Sequence, residues 1–303
     1  KAEALTAGLA RTQYPPCSYC LFMAQSHGEL FILAGVTASG KTQAALDWAS
    51  SNDAEILSCD SISLYKGMDI GSAKPTAEQR KKVPHHGIDL FEVRDPCDVA
   101  QYAQFAKYKV DEVVSRGRKI LVVGGSGFYL QSFFARVADD TEVEEQVRKK
   151  VEDLFKARGL DALLEKLRIL NPKGLGGLDL HNPRRVVRAL ERCLSSGKSL
   201  SDLNHEFNSL PTPFPNLQKR FLWLDREDSD LEQRIGKRTK KMLEEGLLEE
   251  TQRLLELGLS MNPAASSSIG YREVISCLRG ILKESDLESS INASTRKLVS
   301  KQR

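Results

Sequence analysis

The 303-residue sequence contains no apolar run approaching the ~20 residues a membrane span needs, and no charged-then-apolar leader opens it. A soluble, intracellular, cytoplasmic protein with no membrane partner is expected. It also lacks a surplus of either charge: 44 Lys and Arg stand against 41 Asp and Glu, a net +3. That is too little to argue for a nucleic-acid partner from bulk charge, so the placing of the basic residues has to decide. Six scattered cysteines, Cys17, Cys20, Cys59, Cys97, Cys193 and Cys277, make no disulfide framework, and reduced thiols are expected. Cys17 and Cys20 form a lone C-x-x-C without the two further ligands of a zinc site. No repeat of fixed period is present. With 41% apolar and 28% charged residues the composition is that of a globular chain, which excludes disorder as the default.

What is present is a pattern of short apolar runs separated by helical stretches. "LFILAG" reads as a buried strand, "TQAALDWAS" as a helix and "AEILSCD" as a second strand, a unit whose strands should be parallel with a right-handed crossover. "KILVVGG" and "RFLWLD" read as two further strands, the former preceded by a helix over "AQYAQFAKYKVDEVVSRG". The expected fold is α/β, with a mostly parallel sheet flanked by helices. Between 139 and 206 the pattern changes to charged helical segments without strands, so a helical insertion is expected there. The core then comprises 23–138 and 207–303, and its last part is helical with Gly246 as an interruption. Residues 1–22, with Pro15-Pro16 and no periodicity, are expected to form an extension outside the fold, with Met23 as an alternative start.

Between the first strand and its helix lies "GVTASGKT", a P-loop pattern from Gly35 to Thr42. Its glycines let backbone N–H groups turn towards phosphate oxygens. The helix N-terminus adds partial positive charge, Lys41 a full one, and Thr42 a hydroxyl suited to Mg²⁺. A hydrolase would normally carry an acidic residue after a core strand to order water; "KILVVGGSGFY" instead ends in Gly124-Gly125-Ser126-Gly127, which suits close approach of backbone to a bulky ligand.

Asp60 follows the strand next to the P-loop, at the sheet end where α/β proteins bind ligands. Two readings stand: a base accepting a proton from a nucleophile, or a cap on the following turn. His85-His86, with no carboxylate cluster at ligand spacing, suits turn or packing roles. In "NPRRVVRALER", Arg184, Arg188 and Arg192 share a helix face with Arg185 beside them. Such a stripe serves phosphates and bases, or is a solvated surface. The cluster Arg234, Lys237, Arg238, Lys240 and Lys241 has the same ambiguity.

"GVTASGKT", "DSISLYKGMDIGSAKP", "VPHHGIDL", "ILVVGGSGFYL", "RRVVRALE", "RIGKRTKKMLEEGLLEE" and "SIGYRE", in this order, resemble the tRNA dimethylallyltransferases, also called tRNA isopentenyltransferases, of bacterial type. The resemblance runs from about residue 30 to the end. It implies a P-loop used without phosphoryl transfer: dimethylallyl diphosphate supplies the prenyl group, N6 of the adenosine 3′-adjacent to the anticodon attacks carbon 1, and pyrophosphate leaves. It further implies that Gly35, Thr37, Ala38, Ser39, Gly40, Lys41 and Thr42 cradle the diphosphate with Mg²⁺ on Thr42. Arg234 and Arg238 add neutralising charge. Asp60 is then the base, with Thr37 and Lys41 the other catalytic groups.

For the tRNA anticodon stem-loop the resemblance implies contacts from Asp60, Ser61, Ile62 and Ser63, from Ser126, and from Arg184, Arg185, Val186, Val187 and Arg188 of the insertion. Ser267, Ser268, Ile269, Gly270, Tyr271 and Arg272 complete the set. Ser126 stands where the family commonly has threonine, and Val36 where it often has proline. The sequence ends at "STRKLVSKQR", where relatives often continue, and carries no C-terminal zinc finger of the eukaryotic kind. A monomer is expected. The rival readings are an adenylate isopentenyltransferase acting on free AMP, ADP or ATP, a small-molecule P-loop kinase, and a non-catalytic RNA-binding protein. The long insertion with its arginines favours tRNA over a free nucleotide.

Overall fold

The computed structural model describes residues 11–12, 28–137 and 141–303. Among them the chain divides into two compact units, one running to Val137 and resuming at Pro213–Arg303, the other ending at Thr212.

The first unit is built on a sheet whose six strands are β1 (Arg11–Thr12), β2 (Glu29–Gly35), β3 (Ala54–Cys59), β4 (His85–His86), β5 (Lys119–Gly124) and β6 (Gln218–Leu224). Their order is β1-β6-β2-β5-β3-β4 and every pairing is parallel. The four strands expected from the sequence are β2, β3, β5 and β6. Arg11–Thr12 pair with Trp223 and Leu224, so two residues of the segment expected outside the fold add an edge to the sheet. The rest of that segment, with Cys17 and Cys20, lies outside the described residues.

β2 is buried along its whole length, as a central parallel strand must be. Its side chains alternate between two cores. Leu30, Ile32 and Ala34 join Leu57, Ile120 and Val122 against α3 (Val99–Ser115). Phe31 and Leu33 join Ile56 and Leu121 against α1 (Lys41–Ser51), where the Phe31 and Trp48 ring centroids are 4.8 Å apart. α3 offers Tyr102, Ala106, Val110 and Val113 at helical spacing, and its start is fixed by Asp98 and Gln101 in a reciprocal capping box. Short helices α2 (Ala77–Lys82) and α4 (Gly127–Gln131) follow β3 and β5.

After β6 come α8 (Asp228–Glu244) and α9 (Leu247–Glu256), separated at Gly246, whose φ of 97° ends one helix and opens the next as the sequence led one to expect. α10 (Pro263–Ser266), α11 (Tyr271–Leu278) and α12 (Leu287–Gln302) complete the unit. Because all strands run the same way, the P-loop after β2, Asp60 after β3, the glycine turn after β5 and Asp225 after β6 share one edge of the sheet.

The second unit is helical: α5 (Glu145–Leu170), bent at Gly159, α6 (Pro183–Ser196) and α7 (Leu200–Ser209). Pro183 at the first turn and the Asn182 side chain, accepting from the Arg185 N–H, start α6. Val186, Ala189, Leu190 and Cys193 then form a stripe buried against Leu163, Leu167 and Leu203. Each fully buried leucine or valine contributes ~1.5–3 kcal/mol.

Candidate functional site

A hollow of about 960 Å³ opens at the carboxyl edge of the sheet. Its floor is the P-loop. Gly40, at φ 96°, makes the turn into α1 in a conformation that costs glycine little, and Ala38 also stands at positive φ, 65°. Thr37, Ala38, Gly40, Lys41 and Thr42 line the hollow. Ser39 is fully buried beneath it, and a side chain at Gly35 would collide with the Leu224 carbonyl, so these two expected phosphate residues serve the loop through their backbone.

Lys41 Nζ donates to the carbonyls of Gly35 (2.9 Å) and Val36 (2.6 Å), tethered across its own loop. Burial, and after it the Arg238 guanidinium, lower its pKa to about 8, with Asp60 pulling the other way. Arg238, one helical turn after Arg234 on α8, is likewise lowered by burial and held up by Asp60. Arg234 pairs with Asp230 at 3.0 Å, and both arginines line the hollow.

Asp60 performs the capping role left open by the sequence: Oδ1 accepts the N–H of Ile62 (2.8 Å) and of Ser63 (3.4 Å). Oδ2 makes no hydrogen bond among the described residues, so one oxygen fixes the turn and the other is uncommitted. Ser61 and Ile62 line the hollow with it. Ser63 is buried, its hydroxyl donating to the Asp60 carbonyl and sharing a hydrogen bond with Ser58. Across the turn, Ser126 Oγ accepts the Ser61 N–H at 3.3 Å, joining the β5 turn to the Asp60 turn.

Ser267, Ser268, Ile269 and Gly270 reach the same hollow from the segment before α11. Tyr271 does not. It is fully buried, its hydroxyl donating to Glu250 at 2.6 Å, so in the segment expected to meet RNA its side chain is turned into the core. Glu250 also accepts from the backbone N–H groups of Asp69, Ile70 and Gly71. A side chain at Gly71 would stand 2.4 Å from the Tyr271 ring. Lys74, with a side chain 1% exposed, donates to Asp69, Asp89 and the Tyr65 carbonyl. "MDIGSAKP" and "SIGYRE" are therefore braced on each other, and much of their specificity as motifs is internal carpentry. Arg272 is exposed and pairs with Glu273.

In the helical unit Arg184, Arg185, Arg188 and Arg192 line one hollow of about 540 Å³ together with Asn182 and Asn204. Val186 is completely buried in the core of that unit and Val187 is half-buried. The helical period puts 186 with 189, 190 and 193, and that stripe is the signal that would have separated it from its arginine neighbours.

Among the residues that escaped the sequence reading are one that supports the P-loop and two that line the hollow. Arg226 donates Nε to the Ser39 carbonyl (2.6 Å) and NH1 to Asp230, buttressing the P-loop from the end of β6. Lys301 and Gln302 line the hollow from α12. A basic residue directly after a core strand marks Arg226; nothing local marks the other two. His85 bonds the Val83 carbonyl and also lines the hollow, and His86 bonds Glu55.

The described residues contain no group of three or more His, Cys, Asp or Glu able to hold a metal. Mg²⁺ needs none, because it retains waters and binds through one or two protein oxygens plus substrate phosphates. Thr42, exposed in the hollow with a hydroxyl that makes no hydrogen bond among the described residues, fits that donor set. No helix among the described residues is long and apolar enough to cross a membrane.

A family model described as IPP transferase matches residues 63–303. The chain is 52% identical over 274 residues to a tRNA dimethylallyltransferase of Opitutus terrae, covering 90% of this chain and 88% of that one. It is 35% identical to tRNA dimethylallyltransferase 1 of Trichlorobacter lovleyi, over 90% and 88%. Among solved structures it resembles the full-length tRNA isopentenylpyrophosphate transferase of Bacillus halodurans (TM-score 0.64, 30% identity, 91% of this chain and 85% of that one). It also resembles a eukaryotic dimethylallyltransferase described as acting on tRNA (TM-score 0.78, 26% identity, 91% and 69%).

Proposed function

The chain belongs to the IPP transferase family, and from that premise we propose that it transfers the dimethylallyl group of dimethylallyl diphosphate to N6 of the adenosine 3′-adjacent to the anticodon of tRNA, releasing pyrophosphate. The observation that carries the reading is Asp60, whose uncommitted Oδ2 shares one hollow with the P-loop and with Arg238.

The diphosphate lies on the backbone N–H groups of Ala38, Gly40, Lys41 and Thr42, at the start of α1, and exchanges its oxygens for the carbonyls that Lys41 now bonds. Arg234 and Arg238 neutralise the charge that grows as the bond from carbon 1 to oxygen breaks. The Thr37 hydroxyl donates to the departing oxygen. N6 forms the new bond to carbon 1, and its proton passes to Asp60 Oδ2. An exocyclic amine is a weak nucleophile, so holding it in line matters as much as activating the leaving group. Thr42 would hold Mg²⁺, which would add positive charge at the leaving group.

The apolar side of the hollow, with Trp223, Ile235, Met242 and Ile291, suits the five-carbon chain. The target base leaves the anticodon-loop stack to enter. Ser61, Ile62, Ser126, Ser267, Ser268 and Arg272 meet the RNA at the rim, and Arg184, Arg185 and Arg188 of the helical unit take its phosphates. Every group the transfer needs comes from one chain, so a monomer suffices, and a tRNA substrate implies the cytoplasm.

The test is incubation with labelled dimethylallyl diphosphate and Mg²⁺, with unmodified tRNA and AMP offered in parallel and the RNA digested to locate the label. Label on the adenosine 3′ of the anticodon is the expected result. Label on AMP alone would assign the protein to the free-nucleotide enzymes and overturn the reading.

A further inference from the structure

The residue that joins the two halves of this site is on neither of them. α12 carries a buried stripe at four-residue spacing, Leu287, Ile291, Thr295 and Val299. Val299 packs with Leu231 and Ile235 of α8 and with Val36 of the P-loop. Ion pairs secure the helix on either side: Arg296 with Glu232, and Arg303 with Asp225 and Asp228. So fixed, α12 delivers the Gln302 carboxamide between two loops. Oε1 accepts the backbone N–H of Thr37 at 2.8 Å, and Nε2 donates to the carbonyl of Gly125 at 2.9 Å.

Those loops follow neighbouring strands, since Ala34 of β2 is in register with Gly124 of β5. The first is the diphosphate cradle. The second carries Ser126, which holds the Ser61 N–H beside Asp60. The carboxamide is therefore the first link in a chain of contacts running from Thr37 through the glycine turn to the segment that bears the base. A Cβ at Gly125 would stand 2.7 Å from Gln302 Nε2, so the glycine is what admits the amide. The job requires an acceptor and a donor on one short planar group. Glutamate supplies only the acceptor and would set a negative charge against both the Gly125 carbonyl and a diphosphate.

We propose that Gln302 is a positioning residue for prenyl transfer: its two hydrogen bonds set the spacing between the leaving-group cradle and the Asp60 turn. This rests on the function proposed above. Displacements of about 1 Å remote from the reacting atoms cost on the order of a hundredfold when alignment is what the site supplies. Losing this brace therefore acts on the rate of the bond-making step, and the binding of each substrate is left nearly intact.

Gln302→Met keeps an unbranched chain of similar length without either hydrogen bond, and Gln302→Glu keeps the acceptor alone. Each would be measured for single-turnover transfer to tRNA, for Kd of pyrophosphate and of tRNA, and for Tm. The expected result is a single-turnover rate lowered about tenfold to a hundredfold in both variants, with Tm unchanged and, for Gln302→Met, both Kd values within about twofold of wild type; Gln302→Glu should in addition weaken pyrophosphate binding through its charge. A Gln302→Met rate within twofold of wild type would overturn the proposal. So would a rate loss that tracks a fall in Tm, which makes Gln302 a fold anchor. Tighter pyrophosphate binding by Gln302→Met would overturn it too, because the amide would then be a placeholder on the Thr37 N–H. A wild-type protein that transfers no prenyl group to tRNA would remove the proposed function and this inference together; a working wild type with an unaffected variant removes this inference alone.

Discussion

At the P-loop several charged groups are held by close hydrogen bonds, whereas the first arginines of α6 stand exposed with long ion pairs. Lys41 is bonded to two carbonyls of its own loop, Asp60 caps its own turn, and Arg226 and Arg234 both grip Asp230. Arg184, Arg185 and Arg188, by contrast, are exposed on α6; Arg185 pairs with Asp179 at 3.9 Å and Arg188 with Glu191 at 3.5 Å. Ordering a charge before the substrate arrives removes a cost from the reaction step, as a site that breaks a carbon–oxygen bond requires. Phosphate contacts along RNA fix register rather than chemistry, and mobile arginines suffice for them. On the function proposed above, one hollow serves the reaction and the other serves adhesion to RNA.

The sharpest break of that contrast comes from Asp60→Asn, which retains an oxygen to cap Ile62 and removes the base. Turnover should fall at least about a hundredfold, while pyrophosphate affinity and Tm remain near wild type; a rate within a few fold would leave Asp60 a cap only.

Next is pH. In the ligand-free protein Lys41 loses its proton through about 8, and a bound diphosphate requires that proton. Pyrophosphate affinity should therefore weaken by about tenfold per pH unit above that value, with proton uptake visible by calorimetry in buffers of different ionisation enthalpy. Lys41→Arg should abolish both. The sign for stability is the reverse. Between about 8 and the usual lysine value near ~10.4 the unfolded chain holds more protons than the folded one, so the ligand-free protein should gain stability as pH rises through that window.

Arg188→Ala should weaken tRNA binding severalfold and reduce the slope of log K against log salt by about one, leaving pyrophosphate affinity unchanged. An unaltered slope would make the α6 arginines an ordinary solvated face. Smallest in its effect on transfer is Tyr271→Phe, which leaves the Glu250 carboxylate one donor short. It should lower folding stability by about 1–3 kcal/mol in denaturant titrations with turnover little changed, because Tyr271 braces the rim from within.

The legible parts of this molecule are those where one segment suffices. β2, β3, β5 and β6 each carry a short apolar run, and "GVTASGKT" is a single loop whose chemistry is local. β1 and β4 were not readable, because two residues have no periodicity and exist as strands only through Trp223–Leu224 and Ile56–Leu57. Arg226 and Gln302 were missed for a related reason: their partners, Ser39, Thr37 and Gly125, lie far away in sequence and are met only when β6 and α12 come home to the sheet edge. Tyr271 and Val186 show the opposite case. Each sits in a motif rich in RNA-contacting types, yet its side chain points into a core.

A P-loop that holds a leaving group requires attack at carbon 1 and not at phosphorus. Dimethylallyl diphosphate carrying ¹⁸O at the oxygen bridging carbon 1 and phosphorus tests this directly when incubated with tRNA and Mg²⁺ and followed by mass spectrometry of the products. The account predicts all of the ¹⁸O in pyrophosphate and the five-carbon group on the tRNA adenosine. Recovery of ¹⁸O in dimethylallyl alcohol or monophosphate, with a phosphoryl group transferred, would contradict it.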